Sequence, residues 1–202
     1  MGVTYICQWK QPEGQNIQQS IEQISSCVEK LGAKKAGLFQ VECESFNAPN
    51  APNAKTLHLI YDSEFPASRF ALFEEGSFLV TDVMLSAFLS KLRAVWQPKK
   101  GGKIDCKGQR YELGDFLIKL GVVSVGASAK GISVELEYAP CVYARDCWGM
   151  MSEMLQSIIG EQAPPSLPSN LQPKGTERFS PELTMQQYVE MFNNIRKTVV
   201  AR

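Results

Sequence analysis

The sequence predicts an α+β fold: a mostly antiparallel β-barrel of about eight strands with four flanking helices. Three observations predict it. Between the end of the first helix and residue 140, short stretches alternate apolar with polar residues, the period-2 signature of strands. Four separate stretches carry apolar residues at helical spacings of three and four. The strands follow one another with short turns, which builds a meander, and eight of them can close and leave no exposed edge. An open sheet is the second choice.

The elements follow in order. Val3, Tyr5, Cys7 and Trp9 alternate with Thr4, Ile6 and Gln8 as a first strand. Ile17, Ile21, Ile24, Val28 and Leu31 form an amphipathic helix, and Gly32 suits its left-handed C-terminal cap. Phe39, Val41 and Cys43 mark the next strand, followed by a polar loop over 47–54 that repeats Asn-Ala-Pro. Leu57, Leu59 and Tyr61 form another strand, and Phe70–Phe73 with Phe78–Val80 a hairpin turned at Gly76. Asp82 is placed to cap a helix with the stripe Leu85, Phe88, Leu92 and Val95.

Lys99-Lys100-Gly101-Gly102-Lys103 is expected to break regular structure ahead of a short hairpin around Lys107-Gly108. Phe116–Val125 is apolar on both faces and reads as a central strand. Ile132, Val134, Leu136 and Tyr138 alternate with Ser133, Glu135 and Glu137 as a half-exposed one. Asp146 can cap a helix carrying Trp148, Met151, Leu155 and Ile158. A connector over 163–181 holds five of the eleven prolines, and Ser180-Pro181 opens a last helix with Met185, Tyr188, Phe192, Ile195 and Val199 on its apolar stripe. The chain is expected to form one domain, 1–202.

Twenty-one basic residues balance twenty-one acidic ones, which argues against naked nucleic acid as the main partner. No stretch suits a secretory signal or a membrane span. Six cysteines form no C-x-x-C pair, and the single histidine, His58, has no neighbouring cysteine. The thiols are expected to be buried small hydrophobes, with no metal site and no cofactor.

His58 is expected on the solvent side of its strand, with no nucleophile motif beside it. The acidic pattern that bears on chemistry is Glu-x-Glu, at Glu42/Glu44 and Glu135/Glu137. Residues two apart share a strand face, so each pair can aim two carboxylates at one divalent cation. This is the basis of an alternative reading, a metal-dependent triphosphate-tunnel hydrolase using those four glutamates. Against it, Phe39/Val41/Cys43 and Val134/Leu136/Tyr138 are the apolar faces, and if they fill the interior the glutamates point to solvent. Lys99, Lys100, Lys103, Lys107 and Arg110 form a basic cluster, the candidate partner-binding residues. Trp96 and Trp148 lie at apolar helix spacing and are read as core.

Several stretches resemble the Mediator complex subunit 20 family. They are Met1–Thr4, Ser63–Pro66 with Phe70–Glu74, Gly108–Tyr111 with Asp115–Gly121, Ala129–Glu135 with Glu137-Tyr138, Asp146–Trp148 and Tyr188–Lys197. The resemblance implies a β-barrel with flanking helices and a nuclear, non-catalytic subunit of the Mediator head module. It implies pairing with subunit 18, tethering through subunit 8, and a contact with the TATA-binding protein for which the basic cluster is the candidate. It supplies no catalytic residues.

Overall fold

A computed structural model describes residues 2–49, 55–171 and 178–200, without the side chains of 198–200. Eight strands and four helices follow in the order β1 (Val3–Trp9), α1 (Ile17–Lys30), β2 (Lys34–Ala48), β3 (Lys55–Asp62), β4 (Ser68–Phe73), β5 (Phe78–Asp82), α2 (Met84–Lys91), β6 (Gln97–Leu113), β7 (Phe116–Val125), β8 (Ser128–Tyr138), α3 (Ala144–Ile159) and α4 (Pro181–Val200). All eight strands form one antiparallel sheet in the order β1-β8-β7-β6-β2-β3-β4-β5. No helix of the described residues is long and apolar enough to cross a membrane.

The sheet is open, which corrects the expected barrel: β1 and β5 are edges and do not pair with each other. The physical reason is α4. Its Met185, Tyr188, Phe192 and Ile195 are fully buried in one core with Ile6 of β1, Val123 of β7, Ile104 and Cys106 of β6, Val41 of β2, Ile60 of β3 and Phe70 of β4. A flat sheet would hold β1 and β4 roughly 29 Å apart. The buried segment of α4, Met185–Ile195, is only about 15 Å long and about 10–12 Å wide. The sheet therefore bends around α4, and the helix occupies the space a barrel would enclose.

The outer face is covered in two patches. Helices α1 and α3 pack over β1, β7 and β8, joining Ile24, Val28, Met151, Leu155 and Ile158 to Ile118, Leu120, Ile132, Val134 and Leu136. Tyr5 meets Trp148 edge-on at 5.6 Å, so Trp148 is core as expected. Leu89 of α2 packs on Phe46, Leu57, Leu59 and Ala71, with Phe73 and Trp96 beside them. Both faces of β8 are thus buried, which corrects the expectation that it is half exposed.

Local signals set several element ends. Asn16 and Gln19 form a reciprocal capping box at the start of α1, and Gly32 follows its end with φ +94°. The N-cap of α2 is Val83 rather than the expected Asp82, whose carboxylate still accepts from the Met84 N–H at 2.8 Å. Of the expected α2 stripe, Leu85 packs inward while Phe88 and Val95 are exposed. Leu89, four residues after Leu85, takes the buried position instead.

Residues 97–113 form one strand, so the expected break and separate hairpin are both corrected. The irregularity is absorbed as a register shift against β2 between Glu44 and Phe46, where Gly101 takes φ +69°. Gly108 sits mid-strand because a Cβ there would lie 1.9 Å from the Leu120 carbonyl oxygen.

Asn47 and Ala48 of the expected loop belong to β2, and 50–54 lie outside the described residues. The proline-rich connector is anchored by buried Leu171 and Phe179, and 172–177 lie outside the described residues. The side chain of Val199 does as well. The cysteines are unpaired: Cys43, Cys106 and Cys147 are buried, and Cys7, Cys27 and Cys141 half-buried.

Candidate functional site

The inner face of the sheet carries an ionic network where α4 crosses β7 and β8. Lys119 of β7 and Glu135 of β8 pair at 2.9 Å with their side chains only 4% and 3% exposed. The Tyr188 hydroxyl of α4 donates to the same carboxylate. Burial works to lower the Lys119 pKa, but the charges of Glu135 and Asp62 outweigh it and hold the ammonium above its usual range. Burial, with the Glu135 charge added, pushes the Tyr188 phenol well up.

Asp62, also buried, is raised to about 6, chiefly by burial against the counteracting charge of Lys119. Arg110 stands nearby, 3.6 Å from Glu64 and 3.1 Å from Glu112. These groups line a cavity of about 470 Å³.

The four glutamates of the hydrolase reading do not converge. Glu135 faces α4, which corrects its expected direction: it is buried because Lys119 and Tyr188 supply the partners that a buried carboxylate requires. Glu137 accepts from the Gly2 N–H at 2.6 Å. Glu42 and Glu44 lie on the opposite face of the sheet, since Val41 and Cys43 hold the inner one. There Glu42 pairs with Lys103 at 3.4 Å. Among the described residues no three His, Cys, Asp or Glu side chains are grouped to hold a metal ion.

The histidine is likewise corrected. His58 is 6% exposed, with Nδ1 at 2.9 Å from the Ser45 hydroxyl, because the C-terminal half of α4 covers its face. Burial, assisted by the charges of Arg196 and Lys99, lowers its pKa to about 4.

The five residues of the basic cluster share β6 but not a patch. Lys103 and Lys107 point outward and pair with Glu42 and with Asp105, the latter at 3.3 Å. Arg110 points inward at the far end of the strand. Lys99 and Lys100, beyond the register shift, line a separate cavity with Arg196 and Lys197 of α4.

The two edges of the sheet are treated differently. At β1, the Gln187 side chain accepts from the Ile6 N–H at 2.9 Å and donates to the Thr4 carbonyl at 3.0 Å. Gln162 does the same for Lys10, at 2.8 and 2.9 Å. Side-chain amides thus stand in for a ninth strand.

Among the described residues nothing comparable covers β5. Beside its free edge, Leu79, Val80, Met84 and Phe88 are each at least half exposed. Sequence periodicity missed this surface because it placed Phe88 in the core. The signal available was that Val80, Val83, Met84, Leu85 and Phe88 together give more apolar side chains than one helical stripe needs.

The family model described as the TATA-binding related factor of subunit 20 of Mediator complex matches residues 1–193. The chain belongs to the Mediator subunit 20 family. Subunit 20 of Gallus gallus is 43% identical, with 98% of this chain and 95% of that protein aligned. The Homo sapiens subunit is 41% identical over the same shares, and the Anopheles gambiae subunit 37% over 100% and 97%. Among solved structures, a Pyrococcus horikoshii protein superposes with a TM-score of 0.49 at 17% identity, covering 83% of this chain and 96% of its own. Likenesses at that level carry no functional argument.

Proposed function

We propose that this chain is a non-catalytic subunit of the Mediator head module that binds subunit 18 through the β5 edge and the adjoining face of α2. Membership of the subunit 20 family makes it a Mediator component acting in transcription regulation. The observation that supports the docking surface is the asymmetry of the edges. β1 is capped by Gln187 and Gln162, whereas β5 offers unpaired backbone groups next to exposed Leu79, Val80, Met84 and Phe88. An unpaired strand beside apolar side chains is a template for another chain. The non-catalytic reading is supported by the four glutamates, which divide between opposite faces and are partly engaged in local pairs.

In this reading the protein acts in the nucleus, subunit 8 tethers the pair to the head, and Lys99, Lys100, Lys103, Lys107 and Arg110 offer a contact to the TATA-binding protein. That contact rests on charge alone. Charge reversal at Lys99, Lys100 and Lys103 then weakens capture of that partner and flattens its salt dependence.

Co-purification with subunit 18 tests the docking surface. Leu79→Lys and Phe88→Glu substitute exposed side chains, so the fold melts as before while affinity falls at least about tenfold, as expected when apolar anchors are lost. Unchanged affinity in both variants rejects this surface. Manganese-stimulated release of phosphate from a triphosphate by the purified chain would instead reject the non-catalytic reading.

A further inference from the structure

Lys99 and Lys100 also line a cavity with Arg196 and Lys197, away from the β5 edge. It measures about 680 Å³, within the range of small-ligand sites. Two cations come from the irregular segment of β6 and two from the last turns of α4. Glu74 is the one carboxylate among its described lining residues.

What sets the cavity apart is that four cations gather around one carboxylate. Among the described residues, Lys35, Lys55, Lys103, Lys107, Arg110 and Lys119 each have a carboxylate within 4 Å. No such pair is recorded for any of the four cations in the cavity. The dipole at the C-terminus of α4 accounts for Arg196 and Lys197, but not for lysines brought in by a different element.

The cavity is also prepared for hydrogen bonding. Arg196 is fixed by donation from Nη2 to the Gly102 carbonyl at 2.6 Å and from Nη1 to Asn193 Oδ1 at 3.0 Å. Its Nε, buried, has no hydrogen-bond partner. His58 spends Nδ1 on Ser45 and keeps its second ring nitrogen.

We infer that this cavity binds the dianion of a phosphate monoester, carried either by a free small molecule or by a phosphorylated side chain. A compact double charge suits several converging cations better than a single carboxylate does, and the arginine adds a directed donor to the point charges of the lysines.

His58 is the only histidine, so its ring signals in an NMR spectrum of the 202-residue chain report on the cavity without ambiguity. The titration is made at pH 7 and constant ionic strength with inorganic phosphate, a phosphoserine peptide and the same peptide unphosphorylated. The expected result is a saturating shift with phosphate, the phosphopeptide or both, with affinity at least tenfold weaker in Lys99→Glu/Lys100→Glu. Both lysines are exposed, and Lys99→Ala/Lys100→Ala serves if charge reversal disturbs the melting curve. Saturation by phosphate alone assigns a small-molecule source, and tighter saturation by the phosphopeptide a side-chain source. Absence of saturation by either overturns the inference. So does an equal response to the unphosphorylated peptide, or unchanged affinity in the lysine variants.

Discussion

Lys119 and Glu135 pair at 2.9 Å with both side chains almost fully buried. Removing one member leaves the other buried and uncompensated, which costs on the order of 3–5 kcal/mol, whereas replacing both with apolar residues is often neutral. Lys119→Met is therefore expected to be severely destabilised in urea unfolding, and Lys119→Met/Glu135→Leu to recover most of the loss. A double variant no better than the single one would contradict this reading.

Two further buried groups, His58 and Asp62, pull stability in opposite directions with pH. His58 is held neutral at about 4. The unfolded chain takes up that proton first, so stability falls as pH drops from about 6.5 towards 4. Asp62 is raised to about 6, so its contribution is present at low pH and lost as pH rises through 6. His58→Gln removes the first effect alone. Its melting temperature, compared with the parent's at pH 7 and pH 5, is expected to gain relative to the parent at pH 5. An unchanged difference between the two pH values rules out a buried neutral histidine.

Among the elements, α4 decides most. Four of its side chains are fully buried against the sheet, each contributing on the order of 1.5–3 kcal/mol, and Gln187 ties it to the β1 edge. Gln187→Met keeps the length of the side chain and loses both bonds. The expected cost is about 1–3 kcal/mol, from leaving the Ile6 N–H and Thr4 carbonyl unpaired, with faster exchange of the Ile6 amide. Unaltered exchange at Ile6 would show that the edge is protected by other means.

Periodicity revealed α1, α3, α4 and most strands, because their apolar spacing matches the face they bury. It failed where tertiary contacts override local signals. The glycines at 101 and 102 read as a break but form a bulged strand held by β2. Phe88 fits a stripe yet has nothing to pack on. Glu135 and His58 look solvated by alternation, and only the distant α4 buries them.

At the scale of the whole molecule, strand count and helix count were legible but closure was not. Nothing in a strand's alternation tells whether the face opposite is filled by other strands or by a helix far later in the chain. Here α4 fills it, β1 is sealed by glutamines, and β5 remains open beside an apolar helix face. The candidate site follows from that arrangement and not from a motif. The basic cluster, which did stand out as a motif, is divided among both faces of the sheet and the separate cavity beyond the register shift.

Amide hydrogen exchange of the chain, alone and in complex with Mediator subunit 18, tests this arrangement most directly. Residues 78–82 of β5 and 84–91 of α2 are expected to gain protection in the complex, while β1, already sealed, changes little. Protection gained elsewhere, with β5 and α2 exchanging as in the free chain, would contradict the account.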